Sequence, residues 1–288
     1  RENKRERRRE NGEGKKKGMI LEQTVKLLHQ ICKSRMIPPP QVNKVVIGLS
    51  YTGVELASFS HGMVLGLAYT LPEVLSTPGC HKNDFAGKLT EIPLNEILEW
   101  SFVQPSLRRV IGIAALNAFS QYVLRIKDPY KTLKQDLLKF LGVRKDSRVT
   151  FIGLIKPLIR KVASITDSIT IIERNIKVEG EFKDYYVADS INEIEREEIS
   201  TDVLFCTGTA LINGTMREIL EIYKSRAGRI AVLGPTASML PDILFDHGVD
   251  VVGGMNIKDS KKTLRVLKEA GGTKIFKKYG KKYNLAKK

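Results

Sequence analysis

The sequence has few of the side chains that bind metals most strongly or form covalent cross-links. Its 288 residues include three cysteines, four histidines and one tryptophan. Cys32, Cys80 and Cys206 are far apart, so no disulfide framework is predicted, and this usage fits a reducing compartment. Cys80 and His81 are adjacent, but two neighbouring residues are not the three or four ligands of a metal centre. The spacing therefore favours neither a disulfide-rich fold nor a zinc module.

Long apolar runs are also missing. The longest uncharged stretch, residues 56–72, is interrupted by Ser, His, Gly and Thr, and a membrane-spanning helix needs about 20 apolar residues. No hydrophobic signal segment is visible near the start, so we expect a cytoplasmic protein. A hydrophobic fraction of 42% with a mean hydropathy of −0.17 is typical of a globular chain with a substantial core. The length suits about two domains.

Charge is present in excess but is unevenly placed. The net charge is +16, of which residues 1–17 carry +5 and residues 258–288 carry +10. The remaining 240 residues are therefore nearly neutral. Basic ends can bind nucleic-acid phosphates, although solvated termini are the simpler interpretation. Nucleic acid is thus an alternative partner, bound through the basic ends.

The first part of the chain predicts a small α+β domain. Residues 1–18 contain no apolar side chain and predict a basic disordered tail. Residues 19–33 have apolar positions at helical spacing. Residues 42–56 and 62–71 predict the two strands of a hairpin, and residues 106–124 predict a buried helix. We place this N-terminal domain at residues 19–130.

The second part alternates strands with helices. A helix is predicted at residues 131–143, ending at Gly142. Five apolar strands follow, separated mostly by helical segments: RVTFIG (148–153), ITIIERN (169–175), DVLFC (202–206), RIAVLG (229–234) and VDVVGG (249–254). This rhythm predicts a mostly parallel, Rossmann-like sheet over residues 131–272. Residues 273–288 are expected to be a lysine-rich tail.

Polar residues follow two of these strands. The segment TGTALINGT (207–215) comes after the third strand, and GPTAS begins at Gly234 after the fourth. In an open α/β sheet, ligands bind beyond the carboxyl ends of the strands. The backbone and side chains there offer neutral hydrogen-bond donors for an anion or a polar oxygen. The candidate ligand-binding residues from these two turns are Thr207, Gly208, Thr209, Asn213, Gly214, Thr215, Gly234, Pro235 and Thr236.

Two alternatives concern individual residues at this edge. Asn213 is either an N-cap of the helix beginning near Thr215 or a ligand contact. Glu173 follows Gly153 by 20 residues, at the end of the second strand, where dinucleotide enzymes hold the ribose. The first turn, GLIKP, lacks the glycine fingerprint that allows close pyrophosphate approach. Glu173 therefore binds a substrate hydroxyl or amine, or is a solvated charge.

The motifs in this order resemble a known family. The motifs that carry the resemblance are GLSYTGVEL, GLAYTL, GIAALNAFS, FIGLIKPLIRKV, ITIIERN, DVLFCTGTALINGT and AVLGPTASMLPDILFDHGVDVVGG. The chain is similar to the family named "putative heavy-metal chelation" over residues from about 19 to 260. The resemblance implies an enolase N-terminal-like domain joined to a Rossmann-like domain, with a site in the cleft between them. It adds Tyr51, Thr52 and Asn117 to the candidates. Asn117 lies on a very apolar helix, so it either faces the site or ties the two domains together.

Three functional hypotheses follow. The first is that the cleft binds a small polar or anionic ligand, a metal ion or a metal complex, with Glu173 as the candidate catalytic base. The second is a nucleotide-cofactor enzyme with Glu173 on a ribose. The third is a nucleic-acid-associated protein acting through its basic ends. The sequence identifies no cofactor and no metal ligand set, and it leaves open whether the protein is an enzyme.

Overall fold

The computed structural model describes six stretches of the chain. They are residues 19–59, 62–75, 84–126, 130–173, 185–188 and 200–287. The expected N-terminal tail (1–18), the Cys80–His81 pair and residues after Glu173 in the second predicted strand lie outside them. Within these stretches, no helix combines the length and apolar character needed to cross a membrane.

The smaller unit is built on a three-stranded antiparallel sheet in the order β1-β2-β3. Its strands are β1 (Gln41–Ile47), β2 (Tyr51–Ser58) and β3 (Gly62–Tyr69). The first predicted strand is therefore two strands, because the chain reverses at Gly48, whose N–H bonds Tyr51 O at 3.2 Å. A Cβ at Gly48 would lie 2.5 Å from Leu267 O, so only glycine fits this turn beside the larger unit.

The described residues of the small unit also form four helices. They are α1 (Ile20–Ser34), α2 (Pro72–Leu75), α3 (Leu94–Glu99) and α4 (Leu107–Ile126), with a 3-10 turn at Trp100–Phe102. The buried helix α4 packs on β2 and β3. A Cβ at Gly66 of β3 would lie 2.1 Å from the backbone nitrogen of Ala118 on α4. The missing side chain thus lets strand and helix backbones approach closely, which fixes α4 on the sheet.

The larger unit is an eight-stranded sheet in the order β4-β11-β10-β9-β8-β5-β6-β7. The six strands from β10 to β7 are parallel, while β11 is antiparallel to both of its neighbours. The sequence order of the parallel strands is that of doubly wound folds, and it reverses between β5 and β8. The strands are β4 (Lys131–Thr132), β5 (Val149–Ile152), β6 (Ile169–Ile172), β7 (Tyr186–Ala188), β8 (Thr201–Thr207), β9 (Ala227–Leu233), β10 (Val251–Ile257) and β11 (Gly280–Ala286).

Short helices connect these strands. They are α5 (Leu137–Leu141), α6 (Lys156–Ala163), α7 (Thr209–Asn213), α8 (Met216–Tyr223), α9 (Asp242–Asp246), α10 (Ser260–Lys268) and α11 (Thr273–Phe276), with 3-10 turns at Pro235–Ala237 and Lys277–Tyr279. The predicted α/β class, a mostly parallel sheet with a smaller α+β unit, is confirmed.

Two predicted boundaries were wrong. The helix expected at 131–143 covers only α5, because the Asp136 carboxylate accepts the Leu138 N–H at 2.9 Å and so caps the helix late. Residues 131–132 form β4 instead. The expected lysine-rich tail from residue 273 contains α11 and the seven-residue strand β11, which pairs with β10 along its whole length. The lysines of β11 project from a strand whose last residues, Leu285 and Ala286, are buried.

One core joins the two units. A single cluster of buried apolar side chains includes residues of α1, β2, β3 and α4 together with residues of β8, α7, α8 and β9. A second cluster combines the outer face of the small sheet with β10 and α10. The small unit is therefore packed against the larger one on both faces of its sheet.

Candidate functional site

A cleft opens at the carboxyl ends of the parallel strands, beside the point where the strand order reverses. Its volume is 2430 Å³. The floor is formed by the turns after β5, β6, β8, β9 and by β10, and Tyr51 and Tyr69 of the small sheet lie on the opposite side. The predicted candidates that line it are Tyr51, Glu173, Thr207, Thr209, Asn213, Thr215, Gly234 and Pro235.

The turn after β8 presents two hydroxyls. Thr207 Oγ1 accepts the Thr209 N–H at 3.3 Å and lies 3.2 Å from Thr209 Oγ1. Gly208 is buried and bonds Leu233 O at 2.8 Å. A Cβ on Gly208 would lie 2.7 Å from Ala237 N, so this glycine lets the β8 turn approach the turn after β9. The two turns singled out from the sequence are thus packed together.

Asn213 does not cap the helix that follows it. It is the last residue of α7, Gly214 follows in the left-handed conformation with φ 77°, and Thr215 precedes α8 without a side-chain cap. The side chains of Asn213 and Thr215 line the cleft and make no hydrogen bond to any other residue in the described stretches. Both are half-buried, so each has donor and acceptor capacity available to a ligand.

The turn after β9 has two residues that line the cleft and a third that is buried behind it. Gly234, with φ 123°, and Pro235 line the cleft. Thr236 is buried and joins the two units, because its Oγ1 accepts the Tyr69 N–H at 3.0 Å. Its carbonyl accepts a hydrogen bond from Asn117 Nδ2 at 2.9 Å. The structure therefore places Thr236 behind the cleft wall.

Thr52 and Asn117 lie in the core and do not line the cleft. The Thr52 hydroxyl is 3.0 Å from that of Thr70, and both are fully buried. Asn117 Nδ2 bonds Leu67 O at 2.8 Å as well as Thr236 O. Asn117 thus connects β3 to the turn after β9, which is the tying role considered as the alternative to a direct ligand contact.

Glu173 is oriented by the first turn of the sheet. Its Oε2 accepts the Leu154 N–H at 3.0 Å, directly after Gly153, whose φ is 90°. A Cβ at Gly153 would lie 2.5 Å from Thr207 Cγ2, so glycine allows the β5 and β8 turns to touch. The Ile155 N–H bonds Gly153 O at 3.0 Å. Since these amides are engaged, they do not form the backbone cradle that a pyrophosphate requires.

Tyr51 and Tyr69 contribute aromatic surface from the small sheet. Their rings meet edge to face with centroids 5.5 Å apart, and Tyr51 meets Phe276 in the same way at 5.1 Å. The Thr273 hydroxyl donates to the Tyr51 hydroxyl at 3.1 Å. Burial raises the pKa of Tyr51, so its hydroxyl stays neutral at physiological pH. This side of the cleft offers flat apolar contact with neutral polar edges.

The C-terminal strand also reaches the cleft, which the tail prediction missed. Lys282, Tyr283 and Asn284 of β11 line it. The Tyr283 hydroxyl accepts a hydrogen bond from Gln121 Nε2 at 2.7 Å, and a Cβ at Gly254 would lie 2.5 Å from that hydroxyl. The signal available in the sequence was the apolar character of Leu285 and Ala286 after the lysines.

The described residues do not fit a heavy-metal centre built from protein ligands. Among them, no group of three or more His, Cys, Asp or Glu side chains could hold a metal ion. Cys32 and Cys206 are buried free thiols, and burial raises the pKa of Cys206 to about 12. A thiol must lose its proton to ligate a metal, so Cys206 is unsuited to that role.

Comparison with known proteins identifies the family. Two family models, both described as "Putative heavy-metal chelation", match residues 30–120 and 136–286. The chain belongs to this family. An uncharacterized protein from Methanocaldococcus jannaschii is 29% identical over 224 residues, which cover 77% of this chain and 81% of that protein.

Two solved structures of the same family are similar to this chain. A protein of unknown function from Pyrococcus horikoshii is 26% identical with a TM-score of 0.73, covering 93% of this chain and all of its own. Another from Desulfitobacterium hafniense is 21% identical with a TM-score of 0.70, covering 92% and 100%. The second likeness shows the shared fold alone.

Proposed function

We propose that the cleft binds a small polar ligand with anionic oxygens and a hydroxyl or amine. The observation that carries this proposal is the meeting, in one cleft, of Asn213 and Thr215 with the Thr207–Thr209 hydroxyl pair and the Glu173 carboxylate. Asn213 and Thr215 have no hydrogen-bond partner in the described stretches. Neutral donors of this kind bind oxygen atoms without requiring an opposite charge.

Each group has a distinct role in this proposal. Asn213, Thr209 and Thr215 donate to the ligand oxygens. Glu173, held by the Leu154 amide, accepts from a hydroxyl or ammonium group, and it is the candidate general base if a reaction follows. Tyr51 and Tyr69 cover the apolar part of the ligand.

A metal enters this proposal only as part of a complex. Glu173 and neutral oxygen donors do not supply the soft ligands that heavy metals prefer. The same donors suit the oxygen atoms of an organic chelator that already holds a metal. The family description is thereby accommodated without a protein-built metal centre in the described residues.

A nucleotide remains the second candidate. It is favoured by the doubly wound strand order and by the position of Glu173 at the end of the second parallel strand. The Leu154 and Ile155 N–H groups in the turn after β5 are already hydrogen-bonded, so they favour a ligand that places a ribose beside this turn and has no pyrophosphate. S-adenosylmethionine has this chemistry, whereas NAD and NADP do not.

Differential scanning fluorimetry tests these alternatives. Citrate, citrate loaded with Co²⁺ or Ni²⁺, the free metal ions, S-adenosylmethionine and NAD are each titrated against the protein. A ligand with free concentration 100 times its Kd should stabilise the fold by about 2.7 kcal/mol. We expect a shift with citrate or its metal complexes and none with the free ions.

Matched variants then locate the binding. Asn213→Ala and Glu173→Gln should abolish the shift, while Asn95→Ala and Glu96→Gln on the exposed face of α3 should retain it. Equal shifts in all four variants would contradict a site in the cleft. A shift with S-adenosylmethionine that is lost in Glu173→Gln would replace the first candidate with the second.

A further inference from the structure

The C-terminal segment forms a folded surface with a large positive charge. Residues 258–287 contain eleven lysines and arginines against two acids, Asp259 and Glu269. Both acids flank α10 and are already paired with its basic residues, Asp259 with Lys262 at 3.0 Å and Glu269 with Arg265 at 3.0 Å. The other basic side chains of the segment are therefore not neutralised by acids of their own segment.

This charge is carried on a packed scaffold. Phe276, Leu267 and Leu285 are buried; α10, α11 and the 3-10 turn at Lys277–Tyr279 contact one another, and β11 contacts that turn. The Tyr279 ring lies beneath two ammonium groups, Lys262 at 5.7 Å and Lys278 at 5.1 Å from its centroid. The ring thus brings lysines from α10 and the 3-10 turn together on one surface. We call the exposed lysines of this scaffold the lysine face; its members are Lys258, Lys261, Lys262, Lys277, Lys278 and Lys281, of which Lys262 is paired with Asp259.

We propose that the lysine face binds the phosphate backbone of nucleic acid. Several closely spaced ammonium groups on a folded scaffold match a polymer with a regular negative charge, and release of condensed counterions favours this association. An anionic membrane is the less suitable partner, because membrane-binding faces pair lysines with a broad apolar contact. In the described segment 258–287, Ile275 is the single large apolar side chain that is strongly exposed.

We expect the lysine face to bind nucleic acid without sequence preference. Lysine contacts to phosphate position a protein on nucleic acid but do not read bases. Lys281 of the lysine face precedes Lys282, which lines the cleft, so the two proposed sites adjoin along β11. The two proposals are nonetheless separate, since the lysine face needs no occupant in the cleft.

The test measures fluorescence anisotropy of labelled poly(U) with the full chain and three triple variants of equal charge change. The first removes part of the lysine face, the second uses exposed lysines of the larger unit, and the third uses the basic N-terminal segment. The variants are Lys277→Ser with Lys278→Ser and Lys281→Ser; Lys134→Ser with Lys139→Ser and Lys145→Ser; and Lys15→Ser with Lys16→Ser and Lys17→Ser.

We expect the first variant to bind about tenfold more weakly. The slope of the logarithm of the binding constant against the logarithm of salt concentration should fall in magnitude by about 2, since each single-strand phosphate contact contributes about 0.7. The other two should change affinity much less. Equal weakening in all three variants, loss only in the third, or no binding by the wild-type protein would overturn the proposal. Loss of binding to phosphatidylserine vesicles in the first variant, with poly(U) binding unchanged, would also overturn it.

Discussion

Two buried polar residues on α4, Asn117 and Ser120, lie one helical turn apart and differ in their hydrogen bonds. Asn117 Nδ2 donates to two backbone carbonyls, Leu67 O and Thr236 O, while its Oδ1 is buried without a partner in the described residues. The Ser120 hydroxyl is buried and has no partner in the described part of the chain. An unpaired buried polar group costs about 1–3 kcal/mol, so their replacement by alanine should have opposite effects.

Asn117→Ala should therefore lower the free energy of unfolding by about 2 kcal/mol, because leaving two carbonyls buried without donors outweighs the removal of the unpaired Oδ1. Ser120→Ala should leave it unchanged or raise it by up to about 1 kcal/mol, since it removes an unpaired hydroxyl and improves helix propensity. Urea denaturation followed by circular dichroism measures both. A Ser120→Ala variant as unstable as Asn117→Ala would show that the hydroxyl has a partner.

At the same scale, the sequence predicted the local turn better than it predicted which side chains face the cleft. The glycine, threonine and asparagine content of residues 207–215 correctly indicated a tight turn after a strand. Which side chains face the cleft depends on contacts remote in sequence. Gly208 and Thr236 turned inward because the two turns pack on each other, and Asn213 became the end of α7 because Gly214 takes the left-handed conformation.

At the scale of helices and strands, local sequence patterns predicted the buried parallel strands and missed the C-terminal strand. Apolar strands β5, β6, β8, β9 and β10 were predicted because buried parallel strands have continuous apolar sequences. Strand β11 was missed for two reasons. Four of the eight residues 273–280 are charged or glycine, which is typical of a tail. The pairing of β11 with β10 is a tertiary contact, which composition does not reveal. Composition alone therefore assigned a tail to a segment that forms a strand.

Hydrogen exchange distinguishes these two descriptions of the C-terminal segment. The register from Ile257↔Gly280 to Val251↔Ala286 places β11 beside β10, and β4 pairs with its last two residues, so the amides that bond these neighbours should be protected. A peptide covering 280–286 should exchange orders of magnitude more slowly than an unstructured chain. Complete exchange of that peptide at the unstructured rate would contradict the strand.

At the scale of the whole molecule, one stripe of α4 holds the two units together. Arg109 donates to Leu211 O at 2.8 and 3.1 Å, and Gln121 donates to Ser238 O at 2.8 Å. With Asn117 between them, these side chains lie at helical spacing on one side of α4 and reach both turns of the cleft wall. The separate domains predicted at 19–130 and 131–272 share a continuous apolar core in addition to these bonds.

We therefore expect the described units to unfold in a single calorimetric transition, with equal calorimetric and van't Hoff enthalpies. Gln121→Leu removes hydrogen bonds to Ser238 O and the Tyr283 hydroxyl, a loss of about 1–3 kcal/mol. It should lower the Tm by several degrees without splitting the peak, whereas Gln135→Leu at an exposed position should have little effect. Two peaks in the wild-type protein would contradict a shared core. Two peaks in Gln121→Leu alone would show that the polar stripe of α4, rather than apolar packing, makes the two units cooperative.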